Sequence, residues 1–148
     1  MRLLQFLTFA FLFATISCSN SNSEGMSQSA STTQAVKNTS ISLLNPTDFE
    51  AKMAALGKQV TVVDVRTPNE FRTDYIAKAT NVDFYAKDFL TKMEALPKDK
   101  AVMVYCAKGG RSGKASQKIK SLGFTHIYDL DGGMTQWIAE GKAVEGAE

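Results

Sequence analysis

The stretch AVMVYCAKGGRS occupies residues 101–112 and joins an apolar run, a cysteine and a glycine-rich loop. The run 101–105 has the length and composition of a buried strand. Cys106 ends that strand and opens the loop, and a helix-like segment follows. This order directs successive backbone N–H groups and a helix N-terminus to one point, where they stabilise an anion and a thiolate. The stretch therefore predicts a nucleophilic cysteine that handles anionic substrates.

The loop residues have the properties that such a site needs. Gly109 and Gly110 allow the backbone to turn its N–H groups inward. Lys108 and Arg111 add positive charge, and Ser112 can cap the following helix or donate a hydrogen bond. A cysteine at a strand end can also be a small buried core residue. Two glycines and two cations within the next five positions favour the catalytic interpretation.

On both sides of this stretch, strand and helix patterns alternate. Strands are predicted at residues 59–65, 79–84, 101–105 and 125–130, and helices at 46–56, from Pro68, at 88–96, at about 113–122 and at 134–140. Alternation of this kind predicts an α/β fold with a mostly parallel central sheet and helices on both faces. Ligands of such sheets bind beyond the carboxyl ends of the strands, where Cys106 lies.

The N-terminal residues are typical of an export signal. Residues 3–16 are mostly apolar, and this run is shorter than the roughly 20 residues that a membrane-spanning helix needs. Residues 15–18, Thr-Ile-Ser-Cys, resemble the lipobox of bacterial lipoproteins. We therefore expect a signal peptide at residues 1–18, lipidation of Cys18, a flexible polar tether at 19–40 and a folded domain at 41–148. The protein would be exported and held by a lipid anchor on the periplasmic side of a bacterial membrane. Ordinary cleavage that removes Cys18 is the alternative, and a Cys18–Cys106 disulfide is disfavoured.

Charge and metal-ligand patterns narrow the range of partners. Seventeen Lys and Arg against fifteen Asp and Glu give a net charge of +2, without a basic cluster that would bind nucleic acid. No grouping of Cys, His and Asp has metal-ligand spacing, so no metal is predicted. The single histidine, His126, is expected to be an ordinary strand residue.

Four separated motifs give the chain a family resemblance. Residues 106–112, a cysteine, four residues, an arginine and a serine, resemble the active-site loop of rhodanese-like sulfurtransferases. Residues 62–71, VVDVRTPNEF, resemble the family's first signature, and the segments 123–125 and 130–137 resemble its C-terminal signature. The fourth motif, residues 45–49, resembles the entry to the first helix. Residues 74–79, DYIAKA, depart from the family's Gly-His-Ile-Pro-Gly-Ala, which leaves the turn there open.

The resemblance implies a single rhodanese-like domain and a reaction. Cys106 would take the outer sulfur of a small anionic donor such as thiosulfate as a persulfide, and would pass it to cyanide or a thiol. Asp64 and Arg66 would support the loop structurally, and no cofactor is implied. The substrate-binding loop would comprise Ala107, Lys108, Gly109, Gly110, Arg111 and Ser112.

Three other functions are weighed against sulfur transfer. Cysteine phosphatases and arsenate reductases have loops with five residues between cysteine and arginine, whereas four intervene here, which makes a smaller cradle. Thiol–disulfide exchange lacks a resolving cysteine if Cys18 is lipidated or removed. A non-enzymatic persulfide carrier or binding module remains an alternative.

Overall fold

The computed structural model describes residues 39–146. Five strands form one sheet, and every pairing within it is parallel. The order across the sheet is β1-β5-β4-β2-β3, which places β4 at the centre. The strands are β1 (Ser40–Leu44), β2 (Val60–Asp64), β3 (Thr80–Asn81), β4 (Ala101–Tyr105) and β5 (His126–Leu130).

Helices connect the parallel strands and cover both faces of the sheet. They are α1 (Pro46–Leu56), α2 (Pro68–Thr73), α3 (Phe89–Glu94), α4 (Gly110–Ile119) and α5 (Gly133–Ala139). One apolar core contains side chains of α3 and α4, and a second contains side chains of α1 and α5. Trp137 of α5 belongs to the second core and is 2% exposed. The predicted α/β class, with helices on both faces of a parallel sheet, is confirmed.

The helices α1 and α2 begin at the predicted residues, Pro46 and Pro68, and each has a capped N-terminus. The Asn45 side chain accepts a hydrogen bond of 2.8 Å from the Asp48 N–H, and Pro46 occupies the first turn of α1. Thr67 and Glu70 form the reciprocal capping box at the start of α2. Both caps satisfy N–H groups that have no partner inside the helix.

Three parts of the fold differ from the prediction. The strand β1 was not predicted, and it begins at Ser40, the last residue of the predicted tether. The strand predicted at 79–84 comprises only Thr80–Asn81, because the chain then turns through residues 83–88. Helix α4 ends at Ile119, and a 3₁₀ turn at Lys120–Leu122 leads to Gly123.

The segment that departs from the family pattern still makes a turn. The Ala79 N–H donates a 3.0 Å hydrogen bond to the Ile76 carbonyl. Lys78 has φ 66° there, in the left-handed region that favours glycine, and it stands where the family pattern has glycine. Lys78 therefore takes up at this turn a conformation that glycine adopts easily and that strains a lysine.

No helix in the range 39–146 is long and apolar enough to cross a membrane. The predicted signal peptide, Cys18 and all but the last two residues of the predicted tether lie outside the described residues.

Candidate active site

Cys106 follows the last residue of the central strand β4 and lies at the floor of a surface cavity of about 380 Å³. The residue is only 1% exposed and also belongs to the core that contains side chains of α3 and α4, so a reactant would have to reach its sulfur through this cavity. The cavity is lined by Phe84, Tyr85, Cys106, Ala107, Lys108, Gly110, Arg111 and Lys114. In a parallel sheet, ligands bind beyond the carboxyl ends of the strands, and this thiol lies at the carboxyl end of the central strand.

The N-terminus of α5 fixes the first part of the cysteine loop. The Met134 N–H donates a 2.8 Å hydrogen bond to the Cys106 carbonyl, and the Thr135 N–H donates a 2.9 Å bond to the Ala107 carbonyl. In a planar trans peptide, the N–H of the next residue points opposite to the carbonyl. The N–H groups of Ala107 and Lys108 are therefore directed away from α5.

Gly133 allows this close approach of α5 to the loop. A Cβ atom at this position would lie 2.3 Å from the Cys106 carbonyl oxygen and 2.8 Å from the Lys108 nitrogen. Its φ of 57° is also in the region that favours glycine. From the sequence, residues 132–133 stood out only as part of the C-terminal signature, whereas in the structure Gly133 sets the position of the loop.

The second part of the loop enters α4. Gly109 has φ 87° and precedes the helix, and its carbonyl accepts bonds from the Gly113 N–H at 2.9 Å and the Ser112 Oγ at 3.1 Å. No backbone carbonyl in the described part of the chain accepts from the N–H groups of residues 107–112. A run of unpaired N–H groups at a helix start is an anion-binding arrangement.

Arg111 bridges α4 to α2 as well as lining the cavity. Its guanidinium donates two hydrogen bonds to the Glu70 carboxylate, at 2.8 and 2.5 Å. These bonds lower the pKa of Glu70 to about 2, against an opposing effect of burial and with help from Thr67. Glu70 thus serves both its capping box and this ion pair, and it balances the charge of Arg111.

Two lysines supply the uncompensated positive charge of the cavity. Lys108 and Lys114 line it, both are exposed, and within residues 39–146 neither forms an ion pair. Tyr85 is 69% exposed at the same cavity, with Arg111 5.9 Å from its ring centre. The cavity therefore offers cations and an aromatic surface above the thiol. Lys114 and Tyr85 were not singled out from the sequence, because their closeness to Cys106 depends on the fold.

Asp64 and Arg66 form a buried pair at the end of β2. Their exposures are 0% and 4%, and their charged atoms approach to 2.7 Å. Arg66 also pairs with the Asp74 carboxylate at 2.8 Å and donates to its backbone carbonyl. Burial lowers the pKa of Arg66, but the bonds with Asp64 and Asp74 outweigh it and keep the pKa raised. Neither side chain lines the cavity, so the pair acts on the fold of the neighbouring turn.

The remaining candidates lie apart from the cavity. His126 lies between the hydroxyl groups of Ser40 and Ser42, at 2.6 and 3.0 Å from its two ring nitrogens. A second cavity of about 390 Å³, between α1, β2 and the turn at Lys78, contains no cysteine. Among residues 39–146, no three His, Cys, Asp or Glu side chains could hold a metal together.

Comparison with known proteins gives the same fold and a family. Residues 45–140 match the rhodanese-like domain family. A sulfurtransferase of Allochromatium vinosum is 29% identical over 108 residues, 72% of this chain and 99% of the relative. The thiosulfate:glutathione sulfurtransferase of Saccharomyces cerevisiae is 31% identical over 115 residues, 68% of this chain and 83% of the relative.

A solved structure agrees with these relatives. The crystal structure of a rhodanese-related protein from Thermoplasma volcanium has a TM-score of 0.59 and 34% identity, covering 70% of this chain and 97% of that one. The family match spans every helix of the fold and four of its five strands. The chain therefore belongs to the rhodanese-like family and has sulfurtransferases among its relatives.

Proposed function

We propose that the protein transfers a sulfane sulfur from a small anionic donor to a nucleophilic acceptor through a persulfide on Cys106. The observation that carries this proposal is the position of Cys106 at the floor of a cavity bordered by unpaired loop amides and two unpaired lysines. The sulfurtransferase relatives support the same reaction class.

The reaction needs no oxidant or reductant beyond its two substrates. The Cys106 thiolate attacks the outer sulfur of thiosulfate, a new S–S bond forms, and sulfite leaves with the electron pair of the broken bond. Cyanide or a thiolate then attacks the outer sulfur of the persulfide. Thiocyanate or a substrate persulfide leaves, and the Cys106 thiolate is regenerated.

The cavity supports each step with a separate group. The loop N–H groups and the start of α4 would stabilise the persulfide and the departing sulfite. Lys108 and Lys114 would attract the anionic donor, since Arg111 is already paired with Glu70.

The test is sulfur loading followed by turnover. The full chain with Cys18→Ser retains Cys106 as its only thiol, because the sequence has two cysteines. We expect thiosulfate to add the mass of one sulfur atom and cyanide then to release thiocyanate, and Cys106→Ser to abolish both. Absence of loading would refute the proposal. Loading without release to cyanide or a thiol would indicate a persulfide carrier.

The lysine contribution is tested by charge removal. Lys108→Gln and Lys114→Gln should each raise the KM for thiosulfate several-fold, because each removes an attractive charge from the cavity. Lys120→Gln, an exposed lysine outside the cavity, is the matched control. An equal response of all three variants would remove the lysines from the proposal.

We further propose that residues 1–18 export the protein and that Cys18 carries a lipid anchor on the periplasmic side of the membrane. The support is the sequence pattern of residues 3–18 alone. In a bacterial host, radiolabelled palmitate should be incorporated into the wild type but not into Cys18→Ser, and only the wild type should fractionate with membranes. Equal labelling of both proteins would refute the anchor.

A further inference from the structure

Asp129 is a buried carboxyl group beneath the active-site helix. It lies on β5, is 4% exposed, and its Oδ1 has no hydrogen-bond partner in the described part of the chain. Its Oδ2 is 3.5 Å from the point that a Cβ on Gly113 of α4 would occupy. A carboxyl group buried with an unsatisfied oxygen is costly, and a mainly apolar strand does not require one.

Ser112 connects this carboxyl group to the cysteine loop. The Ser112 side chain is fully buried and donates to the Gly109 carbonyl at 3.1 Å, and no hydrogen bond joins it to Asp129 in the described part of the chain. The two side chains are neighbours, because Ser112 precedes Gly113, whose Cβ position lies 3.5 Å from the Asp129 Oδ2, and the Ser112 hydroxyl acts to lower the pKa of Asp129. A serine hydroxyl has a single proton to donate. An ionised Asp129 therefore competes with the Gly109 carbonyl for that proton. A protonated Asp129 can instead donate to Ser112 while Ser112 donates to Gly109.

The Gly109 carbonyl sets the direction of a group in the cavity. It shares a peptide plane with the Gly110 N–H, and the two point in opposite directions. Gly110 lines the cavity of Cys106. Loss of the Ser112 bond leaves the carbonyl with only the Gly113 N–H as donor, which loosens the peptide plane that presents the Gly110 N–H.

Asp129 ionises in the range where this competition matters. Burial raises its pKa to about 6, while the Ser112 hydroxyl and the Leu130 amide partly oppose this. Asp131 is the charged group that acts on it, and its repulsion adds to the shift. The residues of α4 next to the carboxyl, Ser112 and Gly113, are uncharged. On the neighbouring strands, Asp129 is paired with the apolar residues Leu43 and Val104.

We propose that Asp129 is a positioning residue for Cys106, acting through Ser112. In its neutral form it holds the Gly110 N–H toward the cavity; as a carboxylate it withdraws the Ser112 proton and adds a negative charge behind the anion site. The inference rests on the proposed use of the loop as an anion site, but its tests need no sulfur donor.

The first test is the reactivity of Cys106 toward iodoacetamide in the full chain carrying Cys18→Ser. Asp129→Asn keeps the shape and gives Ser112 a permanent donor. At each pH, the alkylation rate of Asp129→Asn is divided by that of the wild type. This ratio should rise by about three- to tenfold between pH 5 and pH 8, which corresponds to the loss of about one hydrogen bond in the wild type. Adding Ser112→Ala should shrink that rise.

Asp131→Asn is the matched control, because Asp131 is exposed and acts on Asp129 only through its charge. A ratio for Asp129→Asn that does not change with pH, or changes no more than that of Asp131→Asn, would overturn the proposal.

A second test uses the native residue, so it does not depend on whether Asp129→Asn folds. In ¹³C and ¹⁵N NMR titrations, the Gly110 amide shift should follow the Asp129 carboxyl shift with the same midpoint. Ser112→Ala should break that correspondence. A Gly110 amide that does not respond to the titration of Asp129 would overturn the proposal, whether or not the protein transfers sulfur.

Discussion

Gly133 lies where the N-terminus of α5 meets the backbone of the cysteine loop. In Gly133→Ala, the new Cβ would clash with backbone atoms of Cys106, Ala107 and Lys108, which cannot move as a side chain can. We expect a loss of about 2–5 kcal/mol from crowding and positive φ together, measured by urea unfolding, and a much lower rate of sulfur loading.

Gly141→Ala is the control for the cost of placing alanine at a positive φ without crowding. Gly141 has φ 68° beyond the other end of α5, and nothing lies within 4 Å of its added Cβ. It should lose only about 1 kcal/mol and keep its loading rate. Equal effects in the two variants would show that contact with the loop does not matter.

Lys78 is the non-glycine residue with positive φ among residues 39–146. Lys78→Gly should raise the free energy of unfolding by about 0.5–1 kcal/mol, since relief of the left-handed strain exceeds the added entropy of the unfolded chain. Lys87→Gly, at an exposed turn position without positive φ, should instead be destabilising. Thermal and urea unfolding of both variants would measure the difference, and a loss of stability in Lys78→Gly would contradict the strain.

The pair of Glu70 and Arg111 links the starts of α2 and α4, two short elements that meet beside Cys106. Folding lowers the pKa of Glu70 from 4.5 to about 2. Its ionised form therefore stabilises the fold above pH 4.5, and that stabilisation is lost as the pH falls toward 2. Glu70→Gln should cost about 1 kcal/mol at pH 7 and flatten the decline of stability across this window.

Asp88→Asn tests whether any ion pair would behave in the same way. Asp88 pairs with Lys92 at 3.1 Å on the exposed surface of α3, where such pairs contribute little. Its unfolding curve at pH 7 should stay close to that of the wild type. If Glu70→Gln kept the steep acid decline of the wild type, the assigned coupling to Arg111 would be wrong.

Local signals in the sequence predicted most elements of the fold. Proline at a helix start, the Thr67–Glu70 capping box and the apolar runs of β2 and β4 each depend on neighbours within a few residues. The strand β1 was missed because SISLL is only half-buried and follows a polar segment. Its pairing with β5, about 86 residues later, makes it a strand.

Part of the candidate site was likewise predictable from local sequence, and part depends on the fold. The loop itself could be read from consecutive residues, because its glycines, cations and thiol lie within 106–112. The contacts that orient it could not, since Gly133, Glu70 and Asp129 approach it from other elements. Asp129 had one sequence signal, an acidic residue within a mainly apolar strand, but its meaning depends on Ser112 lying above it.

The described domain includes β1 as an edge of the sheet. Ile41 and Leu44 of β1 pack against the two cores, and Thr39 donates a 2.8 Å hydrogen bond to the Phe124 carbonyl. We expect a chain lacking residues 1–38 to unfold cooperatively in urea, since all five strands are retained. A chain lacking residues 1–44 should unfold at lower urea and aggregate, because β5 becomes an exposed edge. Equal stability of the two truncated proteins would show that β1 is dispensable.

The burial of Cys106 also determines which oxidation products the protein forms in air. A disulfide requires two sulfurs about 2.0 Å apart. Cys106 is only 1% exposed within its cavity, so two copies would have to deform both loops to bring these sulfurs together. Storage in air should therefore yield adducts of Cys106 with small thiols rather than dimers linked by a Cys106–Cys106 disulfide. Burial of the sulfur alone would prevent that disulfide.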